Sequence, residues 1–130
     1  MATEPRVSNF DELYGLEFLE VTPDVVRARV AVDERHKQPL GLVHGGVYAA
    51  IAETTASVGT WMAVKDEGKV SMGMNNNTTF LRPITEGTVH AVATPVHRGR
   101  TTWVWDVEIT NDEGKRVALT RMTIAVREPR

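Results

Sequence analysis

The sequence predicts an α+β fold in which one long buried helix is wrapped by a curved antiparallel sheet of five to six strands. Residues 46–65 are rich in Ala, and Glu53 is the only charged residue between His44 and Lys65. A segment that is apolar on nearly every side is typical of a central buried helix. Segments of strand character follow it at short intervals, which favours antiparallel pairing. One apolar helix and one sheet can bury each other, giving two packed layers.

The elements before and at the long helix each have a local signal. Residues 8–14 begin with Ser and carry early acidic residues, which predicts a short helix. Residues 25–32 alternate as a strand, with Arg27 and Arg29 on the face opposite to the valines. A loop with several Gly and Pro residues leads into the long helix, which we expect to end at Gly68.

Four strands are expected after the helix, over residues 70–81, 88–97, 101–110 and 116–126. The third alternates most clearly, with Trp103 and Trp105 on one face, and residues 111–114 predict a hairpin turn. The short connections predict that these strands form a meander in chain order. One edge or face of such a sheet would stay uncovered, which favours a dimer.

Composition excludes several classes of function. The chain of 130 residues fits one domain over 1–130, and it contains no cysteine, which excludes disulfides, thiolate metal ligands and cysteine nucleophiles. Four scattered histidines predict no metal site. The net charge of −2 does not predict nucleic-acid binding. The N-terminus has no signal-peptide pattern, and polar residues interrupt the apolar stretch 45–64, so we expect a cytoplasmic protein without a membrane partner.

The start of the long helix is one candidate site. Gly45 and Gly46 would let a ligand approach the backbone closely, and the first helical turn has unpaired N–H groups and the positive end of the helix dipole. Such a place suits an oxyanion, although the glycines could equally relieve crowding at a plain loop-to-helix junction. Histidine is a mediocre helix cap, so we expect His44 to have another role.

Glu53 is the second candidate. A carboxylate on an apolar helix is costly to bury without a partner, so it either serves chemistry, pairs with an Arg, or reaches solvent. Ser57 lies one turn further on the same face, where it could hold a water molecule or simply allow close packing. Gly45 and Glu53 are about 12 Å apart along one helix. If both act on one carbonyl group, two subunits related by a two-fold axis must share the site.

The residues that make the chain recognisable are Gln38, the run Val43-His44-Gly45-Gly46, Glu53 and Ser57. Their joint spacing resembles one branch of the hotdog-fold acyl-CoA thioesterases, within the superfamily of the phenylacetate-pathway thioesterases. That branch includes the enterobactin proofreading thioesterase, 1,4-dihydroxy-2-naphthoyl-CoA hydrolase and the actinobacterial type of 4-hydroxybenzoyl-CoA thioesterase. The resemblance runs over nearly the whole chain. Thr79-Phe80 departs from the Asn-His pair of the naphthoyl-CoA members.

The resemblance implies a role for each matching residue. Glu53 corresponds to the catalytic carboxylate, acting as nucleophile or as general base, and the Gly45 N–H corresponds to the donor that polarises the carbonyl. Gln38 and His44 correspond to side chains beside the thioester, and Ser57 to the hydroxyl that helps to place water. Further positions correspond to segments that bind CoA or shape the pocket: Gly73, Phe80, Leu81, Arg82, Pro83, His97, Arg98, Gly99, Arg100, Thr101 and Thr102.

These roles imply hydrolysis of an acyl-CoA, with an aryl or medium-sized acyl group, by a dimer or a homotetramer, without metal or cofactor. Arg82, Arg98 and Arg100 have a chemistry that suits CoA phosphates, although loop arginines are also ordinary solvated charges. Two alternatives share the fold: an acyl-thioester dehydratase or hydratase, whose His-Phe-Pro type motif is absent here, and a non-catalytic acyl-CoA-binding module.

Overall fold

A computed structural model describes residues 7–130, and two helices and six strands account for most of them. The elements in chain order are α1 (Asn9–Tyr14), β1 (Glu17–Val21), β2 (Val26–Ala31), α2 (Gly45–Val64), β3 (Val70–Phe80), β4 (Thr88–Arg98), β5 (Thr102–Thr110) and β6 (Arg116–Arg127). Short 3-10 turns, Glu34–His36 and Lys65–Glu67, precede and follow α2. The predicted helices and four later strands are confirmed, as is the turn at 111–114.

The strands form one antiparallel sheet in the order β1-β2-β4-β5-β6-β3. The prediction of a meander in chain order is therefore wrong for β3, which pairs with β6 at the far edge. The connection from β3 to β4 crosses the end of the sheet. Along it, the N–H of Arg82 donates to the carbonyl of Val117 (3.2 Å), and the carbonyl of Ile84 accepts from Val43 (2.8 Å). This crossing places residues 81–84 against the start of α2.

The sheet-facing side of α2 is packed within the chain. Ile51, Ala52, Thr55 and Ala56 are buried, and small residues let the helix approach the sheet. At Gly59, an added Cβ would lie only 2.4 Å from the Trp105 ring. The Trp105 indole N–H donates to the hydroxyl of Thr60 (2.8 Å). This face and the inner face of the sheet form the core, as in the predicted hotdog arrangement.

The opposite side of α2 is open within the single chain, although the helix is apolar on nearly every side. Glu53 is exposed, and Ala49, Ala50 and Ser57 are only half-buried. The described part of the chain supplies no layer over this side, so its apolar residues have no sheet to pack against. The carboxylate reaches solvent, one of the outcomes that the sequence allowed.

β3 is an edge strand with a bulge at Met74, where the register with β6 shifts between Gly73 and Asn75. A bulge changes which side chains face each side of a strand. Before it, Gly73 faces α2; after it, Asn76 does, and its side-chain amide donates to the carbonyl of Ala49 (2.9 Å). The outer edge of β3 has no strand partner among the described residues.

The opposite edge of the sheet, β1, was not assigned from the sequence. It pairs with β2, where Glu17 accepts two hydrogen bonds from Arg29, and Glu20 one from Arg27. All four side chains are about half-exposed, so each pair contributes little to stability. The outward orientation of both arginines agrees with the predicted alternation of β2.

Candidate active site

The N-terminus of α2 is capped by His44, contrary to the expectation of another role. The imidazole Nδ1 accepts a hydrogen bond from the N–H of Gly46 (2.8 Å), and a Cβ at Gly46 would lie 2.9 Å from the same nitrogen. Because Nδ1 is an acceptor, the ring proton of neutral His44 is on Nε2. The exposed side chain therefore offers an N–H donor at the helix start.

Gly45 lies under the ring of Phe80. A Cβ at this position would come within 2.7 Å of two ring carbons, so the aromatic ring requires glycine here. The Gly45 N–H has no hydrogen-bond partner within residues 7–130, as is usual for the first turn of a helix. Glycine at position 45 therefore relieves crowding by Phe80, which is one of the two interpretations that the sequence left open.

A cavity of about 490 Å³ opens beside this helix start. The crossing connection forms one wall and α2 the other, so six predicted site residues meet there. Its lining residues are Leu42, Val43, His44, Gly45, Gly46, Tyr48, Phe80, Leu81, Arg82 and Pro83. Another cavity, of about 650 Å³, lies on the outer sheet face around the Asp106–Arg121 ion pair, away from α2.

Tyr48 was missed by the sequence reasoning. Its side chain is buried, and its hydroxyl has no hydrogen-bond partner among the described residues. Burial raises the pKa of the Tyr48 phenol to about 12. The ring lies 6.3 Å from that of Phe80, and the only signal in the sequence is its position one turn after Gly45.

Gln38 lies in a tight turn before α2. Its side-chain oxygen accepts from the N–H of Leu40, and its carbonyl accepts from Gly41 (2.9 Å), which has a φ of +86°. The turn is tied back by the Gln38 N–H, which donates to the carbonyl of Leu42 (2.8 Å). The side chain of Gln38 therefore stabilises its own turn in the single chain.

Glu53 projects from the open side of α2 towards β3. A Cβ added at Gly73 would lie 3.3 Å from the Glu53 carboxyl carbon, so glycine leaves room for the carboxylate. One turn further, the carbonyl of Ser57 accepts from the hydroxyl of Ser71 (2.9 Å), which fixes β3 to the helix. The structure thus places Gly73 beside the Glu53 carboxylate, with Ser57 one helical turn further on.

A buried carboxylate lies close behind Glu53 and was also missed. Asp11 of α1 accepts hydrogen bonds from the hydroxyls of Tyr14 (2.6 Å), Thr54 (2.9 Å) and Ser8 (2.8 Å). Burial and the nearby carboxylate raise the pKa of Tyr14. The bond from Thr54 ties α1 to α2 next to Glu53. In the sequence, the acidic residues of segment 8–14 indicate only the start of a helix.

The predicted CoA-binding residues fall at two ends of the subunit. Phe80 pairs with Ala118 near the start of β6, whereas Thr102 pairs with Ala125 near its end. Seven residues of strand separate these positions, about 23 Å. The second group comprises His97, Arg98, Gly99, Arg100, Thr101 and Thr102. One subunit therefore does not bring the two groups together.

Residues 97–102 form the hairpin between β4 and β5, and within it Arg98 forms an ion pair with Asp24. Its guanidinium donates to the carboxylate of Asp24 (2.7 Å) and lies 5.8 Å from the centre of the Trp103 ring. His97 covers Gly99, where a Cβ would lie 2.8 Å from its Nε2 atom, and the Gly99 N–H donates to the carbonyl of Thr102 (2.9 Å). Arg100 is exposed.

Neither a metal site nor a membrane-spanning helix is found over residues 7–130. No group of three His, Asp or Glu side chains is arranged to hold a metal ion. No helix in this range has the length and hydropathy needed to cross a membrane. His36, the one fully buried histidine here, is used structurally: its Nδ1 accepts from the Asp33 N–H (2.9 Å), and its Nε2 donates to the carbonyl of Tyr14 (2.7 Å).

The long helix wrapped by one antiparallel sheet is the arrangement of the hotdog fold. The model of the family described as "Thioesterase superfamily" matches residues 40–118, and the chain belongs to this family. The match includes the start of α2, Glu53, Gly73 and the crossing connection.

Individual relatives agree with this assignment. The chain is 44% identical over 111 residues, 84% of its length and 79% of the relative's, to the Mycobacterium tuberculosis protein named "Putative esterase Rv1847". The solved structure of that protein matches with a TM-score of 0.91 at 41% identity, covering 95% of this chain and 99% of the other. A Haemophilus influenzae structure described as thioesterase HI1161 matches at 0.84 with 34% identity, covering 96% and 92%.

Proposed function

We propose that this protein hydrolyses acyl-CoA thioesters to a free carboxylate and CoA, with Glu53 as the catalytic carboxylate. The observation that carries the proposal is the exposed Glu53 on α2, with the space left beside it by Gly73. An accessible carboxylate can attack the thioester carbonyl, or it can remove a proton from water that attacks. In either case the bond from carbon to sulfur breaks and CoA leaves as the thiolate.

The helix start supplies the second part of the proposed mechanism. A tetrahedral intermediate has a negative oxygen, which N–H donors at a helix N-terminus stabilise. We assign this role to the Gly45 N–H, with the His44 Nε2–H as a second donor near the carbonyl or the leaving thiolate. Gln38 would help to position the thioester once its side chain turns from its own loop, and Ser57 would orient the water.

The proposed site is shared by two subunits. Glu53 lies eight residues after Gly45 on one continuous helix, about 12 Å away, so one carbonyl cannot contact both within a subunit. The outer edge of β3 offers unpaired backbone groups, and the neighbouring Met72 and Met74 are more than half exposed. An edge of this kind invites a second strand.

We propose a homodimer in which two β3 strands pair antiparallel. This pairing would bring the 97–102 hairpin of one subunit towards the cavity of the other, uniting the two groups proposed to bind CoA. Arg82, Arg98 and Arg100 would then contribute cations for the phosphates. A dimer of dimers remains a prediction, as does the cytoplasmic location. The proposed reaction uses water and no cofactor other than the CoA of the substrate.

The names of two solved structures of one relative support the choice of residues. A Staphylococcus aureus thioesterase, 28% identical to this chain, was solved once with a Gln replaced by Ala and once with a Glu replaced by Ala. The two substituted positions are 15 residues apart, which is also the separation of Gln38 and Glu53.

The test is thiol release from a panel of acyl-CoAs, measured with a thiol-reactive dye. Glu53→Gln should lower kcat by about 10²- to 10⁴-fold, because it removes the proposed nucleophile or base. Its unfolding free energy should change by less than about 0.5 kcal/mol, because the side chain is exposed. Glu113→Gln, in the hairpin turn far from α2, is the matched control and should keep full activity.

Three outcomes would contradict the proposal. If Glu53→Gln kept the wild-type rate, Glu53 would not be the catalytic carboxylate. If the wild-type protein bound acyl-CoA but released no thiol from any substrate, it would be the non-catalytic binding module. Loss or gain of water across a carbon–carbon double bond, without thiol release, would instead indicate the dehydratase.

A further inference from the structure

A second, smaller cavity lies beside Glu53, between α1, α2 and β3. Its volume is about 190 Å³, and it is lined by Phe10, Ala49, Ala50, Glu53, Thr54 and Asn76. The carboxylate lies in one wall, while Phe10 and the two alanines supply apolar surface. A polar reacting group next to an apolar recess is the arrangement expected for a substrate with an apolar group on its reactive carbon.

We propose that this recess receives the acyl group, and that Phe10 is the wall that limits its size. The inference rests on the proposed hydrolysis of acyl-CoA. A cavity of about 150 Å³ is known to hold one benzene molecule. A volume of about 190 Å³ is therefore large enough for one six-membered ring.

Phe10 is held in place although its ring is 61% exposed. Its ring packs edge-to-face on that of Tyr14, with centres 5.5 Å apart. The hydroxyls of Tyr14 and Thr54 both donate to Asp11, and the carbonyl of Tyr14 accepts from His36 (2.7 Å). These bonds fix α1 against α2, so the wall is a rigid part of the fold.

The other walls are fixed as well. The side-chain amide of Asn76 donates to the carbonyl of Ala49 (2.9 Å), and its oxygen accepts from the hydroxyl of Thr78 (2.7 Å). β3 therefore stays at a set distance from the helix on this side. The two alanines give the recess its depth, because a larger side chain at either position would fill it.

The experiment compares kcat/KM for benzoyl-CoA, 2-naphthoyl-CoA and acetyl-CoA. Phe10→Ala should raise the ratio of naphthoyl to benzoyl turnover about tenfold or more, because a few carbon atoms in an apolar pocket are worth that much selectivity. Leu13→Ala is the matched control, since Leu13 is on the same helix, is 71% exposed and does not line the recess. It should leave the ratio within about twofold.

A filling variant tests the recess from the helix side. Ala49→Leu should lower kcat/KM for benzoyl-CoA about tenfold or more and leave acetyl-CoA, which does not need the space, much less affected. Thermal melting of each variant checks that it is folded. If the wild type hydrolyses acyl-CoAs but Phe10→Ala leaves its selectivity unchanged, this inference is overturned and the proposed function stands. If no acyl-CoA is hydrolysed, the proposed function itself is overturned.

Discussion

The two sides of α2 are built from similar residues but differ in what they contact. The sheet-facing side meets the core of its own chain, where Gly59 fits under Trp105 and Thr60 accepts from the indole. The other side carries Glu53 and alanines and has no layer over it among residues 7–130. Apolar residues alone therefore do not show which side of α2 packs on the core and which side stays uncovered.

Glycine shows the difference most clearly. Gly59 admits an aromatic ring to the helix, and an added Cβ would lie 2.4 Å from it, closer than atoms can pack. Gly73 lies on the open side and admits a carboxylate instead, with the corresponding distance at 3.3 Å. We expect the first glycine to contribute to stability and the second to catalysis, and two substitutions test this division.

Gly73→Val should have the largest effect, on activity alone. The branched side chain would displace the Glu53 carboxylate, and a displacement of about 1 Å lowers kcat by about 10²-fold. Stability should stay equal or rise, because Val suits a strand better than Gly. Steady-state kinetics and urea unfolding measure the two quantities. Thr94→Val, on the outer face of the sheet away from α2, is the control; an unchanged kcat in Gly73→Val would contradict the division.

Gly59→Ala should lower stability and leave activity unchanged. Overpacking against Trp105 should lower the free energy of unfolding by about 1–3 kcal/mol, partly offset by the better helix propensity of Ala. The kcat of the folded fraction should not change. Trp105→Phe in the same chain should make the substitution less costly, since the two sites are in contact. Additive effects on urea unfolding would show that the contact is not the cause.

Tyr48→Phe should have the smallest effect at neutral pH. Removing a buried hydroxyl that lacks a partner costs nothing and can stabilise the fold. Burial raises the pKa of Tyr48 to about 12 in the folded state, above the value near 10 in the unfolded chain. The stability that the buried neutral phenol supplies is therefore complete below pH 10 and is lost as the pH rises towards 12. At pH 11 the wild type should lose about 1.4 kcal/mol that the variant keeps. Equal alkaline unfolding would contradict the burial argument.

The sequence predicted most elements because their signals are local. Segment 101–110 alternates strictly, and in β5 every second residue is buried. The polar Ser8 accepts from the N–H of Asp11 and so caps α1, as expected. The position of β3 could not be predicted in this way, because pairing with β6 depends on contacts between residues far apart in the chain. β1 was missed because Glu17 and Glu20 break the alternation of a short edge strand.

In the candidate site, too, the sequence predicted the local features but not those that depend on contacts between distant residues. Spacing along one helix predicted that Glu53 and Ser57 share a side, and the fold agrees. It could not predict that Phe80 lies over Gly45, since this contact needs the crossing connection. Phe10 and Asp11 gave no functional signal in the sequence. They become relevant only because α1 docks beside Glu53.

The bulge at Met74 makes β3 intolerant of changes in its length. Gly73 faces α2 before the bulge, and Asn76 and Phe80 face it afterwards, so the strand switches from odd to even numbering there. Deleting one residue would turn every side chain beyond it to the opposite face. In evolution, insertions and deletions within β3 should be removed by selection unless they occur in pairs, while substitutions on its outer side accumulate.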